Sequence, residues 1–598
     1  MQGRIRVLLA ALLTVLALLA ARLMYLQLVM VEEFTARSVQ NATQQRHIVP
    51  LRGRLLARDG TVLADDRVAY DLLYRGGPIN DWEHLAALLG VEGEPRQPNP
   101  AKPEEAQNGA VLAWNIPDEL VGAVEERVAL SPNLYLRERL ERTYPTNLAA
   151  QTVGYTSQAD PARNPGYSNN DLVGVTGLEA GLEEILFGAA GTRLVEVDNR
   201  GAEVASKVVR TALPGRDVTL TLDPQVQRLA EDVLKGALHY VNADRARVNL
   251  PAESVLKGAI IALDPRTGEI LAMASAPTFD QNVFTRRPSD PEAVTAILTD
   301  SRNMPLSNRA VEAYAPASTF KIVTSSTLLE DGYVGPNTSY QCSATFTFGG
   351  ITWRNWDTYG KGAYNVKQAI ADSCNTYYWH AAAATPDFGV GWAPLISDVV
   401  ERARDFGFGA RLEVGLPEEK PGRIPDQAWV RAQPQYDHGW LPGFTLNTII
   451  GQGDVLATPL QVAQLIATVA MDGVAAEPHL VAKVGDVPVV PTRHEVPGAY
   501  YATLKEGMRL MFTDFPSRNV LGPRVFPVSV AGKTGTAQTS RGGDYTHAWF
   551  MGFSPYEAPE VAVVVFIEYG GSSSRVSVPI ARDFLAGYWR LRGVEVPE

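Results

Sequence analysis

The sequence predicts an α/β (α+β) catalytic domain, a sheet covered by helices, carried on a mixed module behind one N-terminal apolar helix. Three observations predict it. Strand-like and helix-like segments alternate from Thr219 onward, Val561–Ile567 is an unbroken apolar run, and an apolar stretch flanked by arginines opens the chain. At 598 residues the chain exceeds what one compact core holds, so two or more domains are expected.

The N-terminal element comes first. Arg4 and Arg6 precede an uncharged run from Val7 to Ala21, and after Arg22 the apolar character continues to Val31. From Ile5 to about Leu26 this approaches the roughly 20 residues that cross a bilayer, with Arg22 able to snorkel to the interface. The continuation past Ala21 argues for a retained anchor rather than a cleaved leader. Positive charge ahead of the span places the N-terminus in the cytoplasm and the bulk outside. Residues 1–36 are read as this anchor, 37–215 as an extended module broken by Gly/Pro/Asn-rich stretches at 93–109 and 160–170, and 216–598 as the catalytic domain. Within the last, a strand is expected over 218–222, a helix from Pro224 to about Leu238, and strands over 258–263 and 270–274. The run Val561–Ile567 reads as a central strand covered on both faces.

Composition narrows the function. The formal charge of −12 argues against nucleic acid as a partner. The two cysteines, Cys342 and Cys374, are too few for a disulfide framework, and whether they pair stays open. His380, His438, His479 and His547 show no metal-ligand spacing and are given no role.

Chemistry is concentrated in three ordered motifs: Ser318-Thr319-Phe320-Lys321, Ser373-Cys374-Asn375 and Lys533-Thr534-Gly535-Thr536. Short polar patterns recur by chance. A second S-x-x-K stands at Ser254–Lys257 and S-x-N recurs at Ser131, Ser168, Ser301 and Ser517, while K-T-G occurs once. Ser318 is singled out by Pro316 before it and the apolar Ile322, Val323, Leu328 and Leu329 after it, the pattern of a buried helix opening at the serine. Lys321 then lies one turn away on the same face. A serine hydroxyl needs a neighbouring base, and lysine serves only when neutral. Bringing its pKa from about 10.4 to about 7 costs the ammonium about 4–5 kcal/mol, which burial and the second cation Lys533 would supply. The K-T-G motif is expected along a strand edge after Val528–Gly532, with Gly535 clearing room for a substrate backbone and the Thr534 and Thr536 hydroxyls holding a carboxylate. Cys374 is read as a small buried residue, since no base stands beside it. Trp353, Trp356, Tyr359 and Tyr364 crowd the approach to Ser373, as cleft lining or as packing.

These motifs resemble those of the penicillin-binding proteins and serine β-lactamases. The likeness extends from about residue 45 to 570 through Arg52–Gly60, Arg142–Pro145, Gly177–Glu179, Leu220–Asp223, Asn308–Ala310 and Trp549–Gly552, all similar to the class B penicillin-binding proteins. Ile450–Gly453 leading into Ala457–Gln461 resembles the elongation type more than the division type. The resemblance implies a membrane-anchored peptidoglycan D,D-transpeptidase without a cofactor, acting on stem peptides ending in D-Ala-D-Ala and acylated by β-lactams. It implies Ser318 as nucleophile, Lys321 as base, Ser373 as proton relay and Asn375 as amide holder. Lys533, Thr534 and Thr536 would bind the carboxylate, with Ser318 and Thr536 N–H groups as the oxyanion hole. It also implies a pedestal in 37–215 that docks a RodA-type (SEDS) membrane glycosyltransferase and other elongation-complex proteins, at the bacterial inner membrane. A β-lactam-sensing receptor and a division-type transpeptidase are the alternatives. Four positions depart from the family pattern: Ala317 and Asn147 where Gly is usual, Ala57 where Asp is, and Gln151 where His is. Some elongation-type relatives hold a metal between the first two motifs; here Asp357 is the lone carboxylate of the matching stretch, so no zinc is expected.

Overall fold

The computed structural model describes residues 2–30, 43–169, 171–197, 203–389, 391–437, 439–515 and 520–597. The end of the expected anchor with the start of the module (31–42), Asn170, His438 and the S-x-N serine Ser517 lie outside the described residues. The chain divides into two compact units: Met1–Arg52 with Ala159–Asp171 and Phe187–Gly215, and all the rest.

The first unit begins with α1 (Gln2–Met24), which runs on into a π-helical turn, Tyr25–Val29. Gly3–Gln27, with mean hydropathy 2.5, is long and apolar enough to cross a membrane. Arg22 closes α1, where a cation suits the helix dipole, and its guanidinium lies 5.4 Å from the Tyr25 ring centroid. The same unit holds an antiparallel sheet in which Gly191–Val197 lies between Thr43–Ile48 and Glu203–Arg210.

In the second unit, a seven-stranded sheet joins early and late parts of the chain. Leu55–Leu56 pairs with Val218–Leu220, which pairs in turn with Val481–Val484. The long strand Val62–Tyr74 carries Ala110–Ile116 and Leu134–Thr143. The expected break at 93–109 contains a short helix, Pro103–Asn108. Beside this sheet, residues that carried the resemblance serve as a buried ionic hub. Arg142, fully buried, donates to Glu179 at 2.7 Å, to Asp66 at 3.2 Å and to the Gly53 carbonyl at 2.9 Å. Removing either charge would leave its partner uncompensated in the interior.

The catalytic part is built on five antiparallel strands: β1 (Gly258–Leu263), β2 (Ile270–Ala276), β3 (Ala531–Ala537), β4 (His547–Ser554) and β5 (Val561–Ile567), in the order β2-β1-β5-β4-β3. The helices that frame it are α2 (Pro224–Gly236), α3 (Lys321–Glu330), α4 (Val366–Asp372), α5 (Asn375–Ala383), α6 (Pro459–Ala470) and α7 (Ser577–Leu591). Central β5 explains its unbroken apolar run by alternation. Val561, Val563 and Val565 pack with α2 and α7 on one face, through Ala230, Leu234, Phe584 and Tyr588. Ala562, Val564 and Phe566 face α6 on the other. Every residue of α6 is buried, and its start is fixed by a reciprocal cap between Thr458 and Gln461. Asp223 and Pro224 start α2, the aspartate accepting from the Gln225 and Val226 N–H groups. The predicted strand 528–532 begins only at Ala531, so the third motif sits inside edge strand β3.

Candidate active site

Ser318 stands on a single 3-10 turn, Ala317–Thr319, with α3 beginning at Lys321 rather than at the serine. The turn is held by close backbone approaches. Ala317 lies at φ +50 and its N–H donates to the Gly451 carbonyl at 2.8 Å. A Cβ on Gly451, itself at φ +70, would stand 2.1 Å from the Ala317 oxygen, so only glycine fits. Gly535 plays the matching part from β3. Its added Cβ would meet the Pro316 oxygen at 3.0 Å and Thr319 at 3.2 Å. The room expected there for a substrate backbone is taken by the turn that carries Ser318. Two departures from the family pattern are explained by backbone shape, since Ala317 and Asn147 (φ +49) both occupy left-handed conformations in which glycine is the easy residue. Gln151 donates to the Pro277 and Pro305 carbonyls, each at 2.8 Å. Nothing in the structure explains Ala57.

The second motif meets the first through Lys321. Its fully buried Nζ donates to the Ser373 carbonyl at 2.8 Å, to Ser373 Oγ at 3.3 Å and to Asn375 Oδ1 at 2.6 Å. Lys533, equally buried, donates to the same Ser373 Oγ at 2.9 Å and to the Thr534 carbonyl at 2.8 Å. One hydroxyl thus receives two amines. Tyr378 adds an aromatic face 5.3 Å from Lys321 Nζ and hydrogen-bonds Ser325 at 2.8 Å, and burial pushes its phenol well above the ordinary range. Ser373 caps α4 at φ +60, an unusual conformation for a residue with a side chain.

Cys374 and Cys342 form a disulfide, so Cys374 is neither a nucleophile nor merely a packed thiol. Asp357, the carboxylate considered as a ligand, pairs with Lys361 at 3.0 Å. The decoy Ser254 is exposed ahead of β1.

A cleft of about 490 Å3 is lined by Ser318, Ser373, Asn375, Thr534 and Thr536 together, so the structure brings residues of all three motifs onto one cleft. Trp356 and Gln452 complete its rim. The Gln452 side chain donates to the Thr536 carbonyl at 3.3 Å. Of the four aromatics noted in the sequence, Trp356 lines the cleft, Tyr359 is exposed, Tyr364 bonds Asp372 at 3.2 Å, and Trp353 packs against Phe346. Beyond Thr536 the cleft continues to Ser573, whose hydroxyl lies 2.9 Å from Thr536 Oγ1. Sequence reasoning missed Ser573 and Tyr378. Ser573 stands in a plain Gly-Gly-Ser-Ser-Ser stretch with no spacing signal, and Tyr378 lies three residues past Asn375 on the same helix, which was a usable signal. His547, at the start of β4, accepts from the Tyr569 N–H at 3.0 Å, and burial drops its pKa to about 4. His380 packs on Tyr340 and Phe346, and burial lowers its pKa too.

Residues 258–586 match the penicillin-binding protein transpeptidase domain, and residues 47–220 the penicillin-binding protein dimerisation domain. The peptidoglycan D,D-transpeptidase MrdA of Acinetobacter baumannii is 27% identical, over 99% of this chain and 88% of its own length. A chain solved within a peptidoglycan synthase complex that coordinates polymerization and crosslinking is 43% identical, with TM-score 0.81 and full coverage of both chains. Pseudomonas aeruginosa PBP2, solved with WCK 5153, is 26% identical with TM-score 0.66, covering 91% of this chain and 96% of that one. The transpeptidase match spans more than half the sequence and contains all three motifs, so this chain belongs to the penicillin-binding protein family, on its class B, elongation-type branch.

Proposed function

We propose that Ser318, Lys321, Ser373, Asn375 and Lys533 carry out the D,D-transpeptidase reaction by which this class B protein cross-links peptidoglycan stem peptides. The observation that carries the reading is the shared Ser373 hydroxyl, which takes hydrogen bonds from both Lys321 and Lys533 on the cleft that holds Ser318. Neutral Lys321 takes the Ser318 proton as Oγ attacks the penultimate D-Ala carbonyl. Negative charge on the carbonyl oxygen falls to the Ser318 and Thr536 N–H groups. The proton passes by way of Ser373 to the leaving nitrogen, and terminal D-Ala departs. An amine from a neighbouring stem attacks the ester, restoring Ser318 and leaving a new amide. Lys533, Thr534 and Thr536 hold the donor's terminal carboxylate, Gly535 lets the strand carrying them press against the nucleophile's turn, and Asn375 orients the donor amide. A β-lactam mimics the donor and stays bonded to Ser318.

The domain reading accompanies this one. Residues 1–36 anchor the chain in the bacterial inner membrane as a single span, with 216–598 outside the cytoplasm as the transpeptidase. Residues 37–215 form a pedestal that docks a RodA-type SEDS glycosyltransferase and elongation-complex proteins. Support comes from the apolar Gly3–Gln27 and from the 43% identical chain of the synthase complex. Fluorescent penicillin tests the core of the proposal: Ser318→Ala loses covalent labelling with its melting temperature preserved, while Ser254→Ala labels as the parent does. Labelling of Ser318→Ala would overturn it.

A further inference from the structure

The second motif adopts a backbone that needs holding. Ser373 sits in the left-handed region between α4 and α5, and such residues persist where their surroundings over-determine them. Beyond the two lysines and the end of α4, that restraint comes from one segment, Tyr340–Tyr364, which none of the three motifs includes. The disulfide joins its Cys342 to Cys374, in the middle of the motif. Lys361 pairs with Asp372, the residue before Ser373, at 2.9 Å, and the Trp356 indole donates to the Asp372 carbonyl at 3.1 Å.

Asn355 links these ties to the chemistry. It is only 6% exposed. Its amide nitrogen donates to the Ser343 carbonyl at 3.2 Å and rests 3.7 and 3.8 Å from the two disulfide sulfurs. Its Oδ1 accepts from the Asn375 backbone N–H at 3.2 Å and the Trp356 N–H at 3.0 Å. Its own N–H is anchored on the Ala344 carbonyl at 2.8 Å. Each polar atom of this buried side chain is committed, with one end on the disulfide and the other on Asn375. Asn375 Oδ1 in turn receives Lys321 Nζ. The path from disulfide to general base is therefore Cys374, Asn355, Asn375, Lys321.

We propose that Asn355, seated on the Cys342–Cys374 disulfide, is a positioning residue for acyl transfer: it fixes Asn375 and so the orientation of Lys321 toward Ser318. The inference rests on the catalytic reading of Ser318, Lys321 and Asn375 above. A misplacement of about 1 Å in a reacting group can cost a hundredfold in rate. A restraint acting one residue removed from the base should therefore alter the acylation step rather than the initial docking of the β-lactam.

The test measures acylation of the detergent-solubilised full-length chain by a fluorescent penicillin, resolving the bond-forming rate constant from the preceding dissociation constant. Asn355→Ala should lower the rate constant about tenfold while the dissociation constant stays within about twofold. Dithiothreitol should lower the wild-type rate constant similarly. Two electrons and two protons pass from the dithiol to the disulfide, giving two thiols and the cyclic oxidised reagent, and reoxidation should restore the rate. Cys342→Ala should show that loss without reductant and respond no further to it. If Asn355→Ala does not fold, the reduced wild type, measured below its melting temperature, decides. Rate constants within twofold of the oxidised wild type in the folded Asn355→Ala and the reduced protein would overturn the proposal and reduce the disulfide to a structural brace. Ser318→Ala runs in the same assay. If it stays unlabelled while those rate constants are unchanged, this inference alone fails; if it labels, the catalytic reading fails and takes the inference with it.

Discussion

The Ser318 turn and the Ser373 turn solve the same problem by different means. Both present a serine next to a residue in, or themselves within, the left-handed region: Ala317 at φ +50 and Ser373 at φ +60. The first is held by the absence of atoms. Gly451 and Gly535 let neighbouring backbone press against Pro316–Thr319, and one side chain, the Thr319 hydroxyl, closes the turn on the Pro316 carbonyl at 2.7 Å. The second is held by added bonds, namely the disulfide, the Asn355 amide and the Lys361–Asp372 pair. A turn held by close packing fails when something is inserted, and a turn held by cross-links fails when something is cut. Glycine substitutions should therefore damage the first turn and leave the second intact, while reduction should do the reverse.

The largest effect is expected at Gly451. An added methyl would stand 2.1 Å from a backbone oxygen and force a left-handed conformation that costs a side-chain-bearing residue about 1–2 kcal/mol in itself. The Ala317–Thr319 turn must then move, and Gly451→Ala should acylate about a hundredfold more slowly than the parent. Stopped-flow labelling with circular dichroism as the folding control measures this. A folded Gly451→Ala reacting at the parental rate would mean that the turn is not held by that contact.

Lys533 belongs to both regions, since it sits on β3 beside the first turn and bonds the hydroxyl of the second. Lys533→Ala removes a like charge from the neighbourhood of Lys321, so the ammonium form of Lys321 becomes easier to keep. Acylation should fall on the order of tenfold to a hundredfold, and the pH at which it reaches half its maximum should rise. A midpoint that stays fixed or moves down would remove Lys533 from the tuning of the base and leave it only a carboxylate contact.

The two regions were unequally legible in the sequence. Pro316 before Ser318, Lys321 one turn on and the unique K-T-G announced the first, and β5 was readable because a central strand buries both faces. The second was readable only as three letters. Its restraint comes from partners 11 to 32 positions away, and nothing local marks Asn355 as bonded to Asn375 or fixes the pairing of two cysteines 32 apart. The role of Gly535 was misjudged for a related reason. The periodicity of a strand says which residues share a face, but not whether that face meets substrate or the protein's own backbone.

Acid should act on the packed region. His547 starts β4 opposite Ala537 at the end of β3, and burial holds its pKa near 4 with Nδ1 accepting from the Tyr569 N–H. The folded value is below the unfolded value of about 6.5, so the unfolded chain binds the proton first. Stability is full above about pH 6.5 and declines as pH falls toward 4. By pH 5 the loss is about 2 kcal/mol. Thermal melting between pH 7 and pH 5 should fall more for the parent than for His547→Asn. Equal falls would place the acid sensitivity elsewhere.

The smallest effect, and the sharpest on how the first turn is held, is expected at Ala317. The left-handed conformation costs alanine about 1–2 kcal/mol that glycine does not incur, but glycine also gains freedom in the unfolded chain, worth about 0.4–1 kcal/mol in the opposite sense. Ala317→Gly should therefore be neutral or slightly stabilising, by less than about 1 kcal/mol. Its acylation rate should remain within about twofold of the parent, because the Ala317 N–H to Gly451 carbonyl bond needs no side chain. Melting temperature and labelling rate are both read on the single variant. If Ala317→Gly melts lower and labels several-fold more slowly, the Ala317 methyl is itself a packing element of the nucleophile's turn. The contrast between a turn held by vacated space and one held by bonds would then have to be redrawn at that residue.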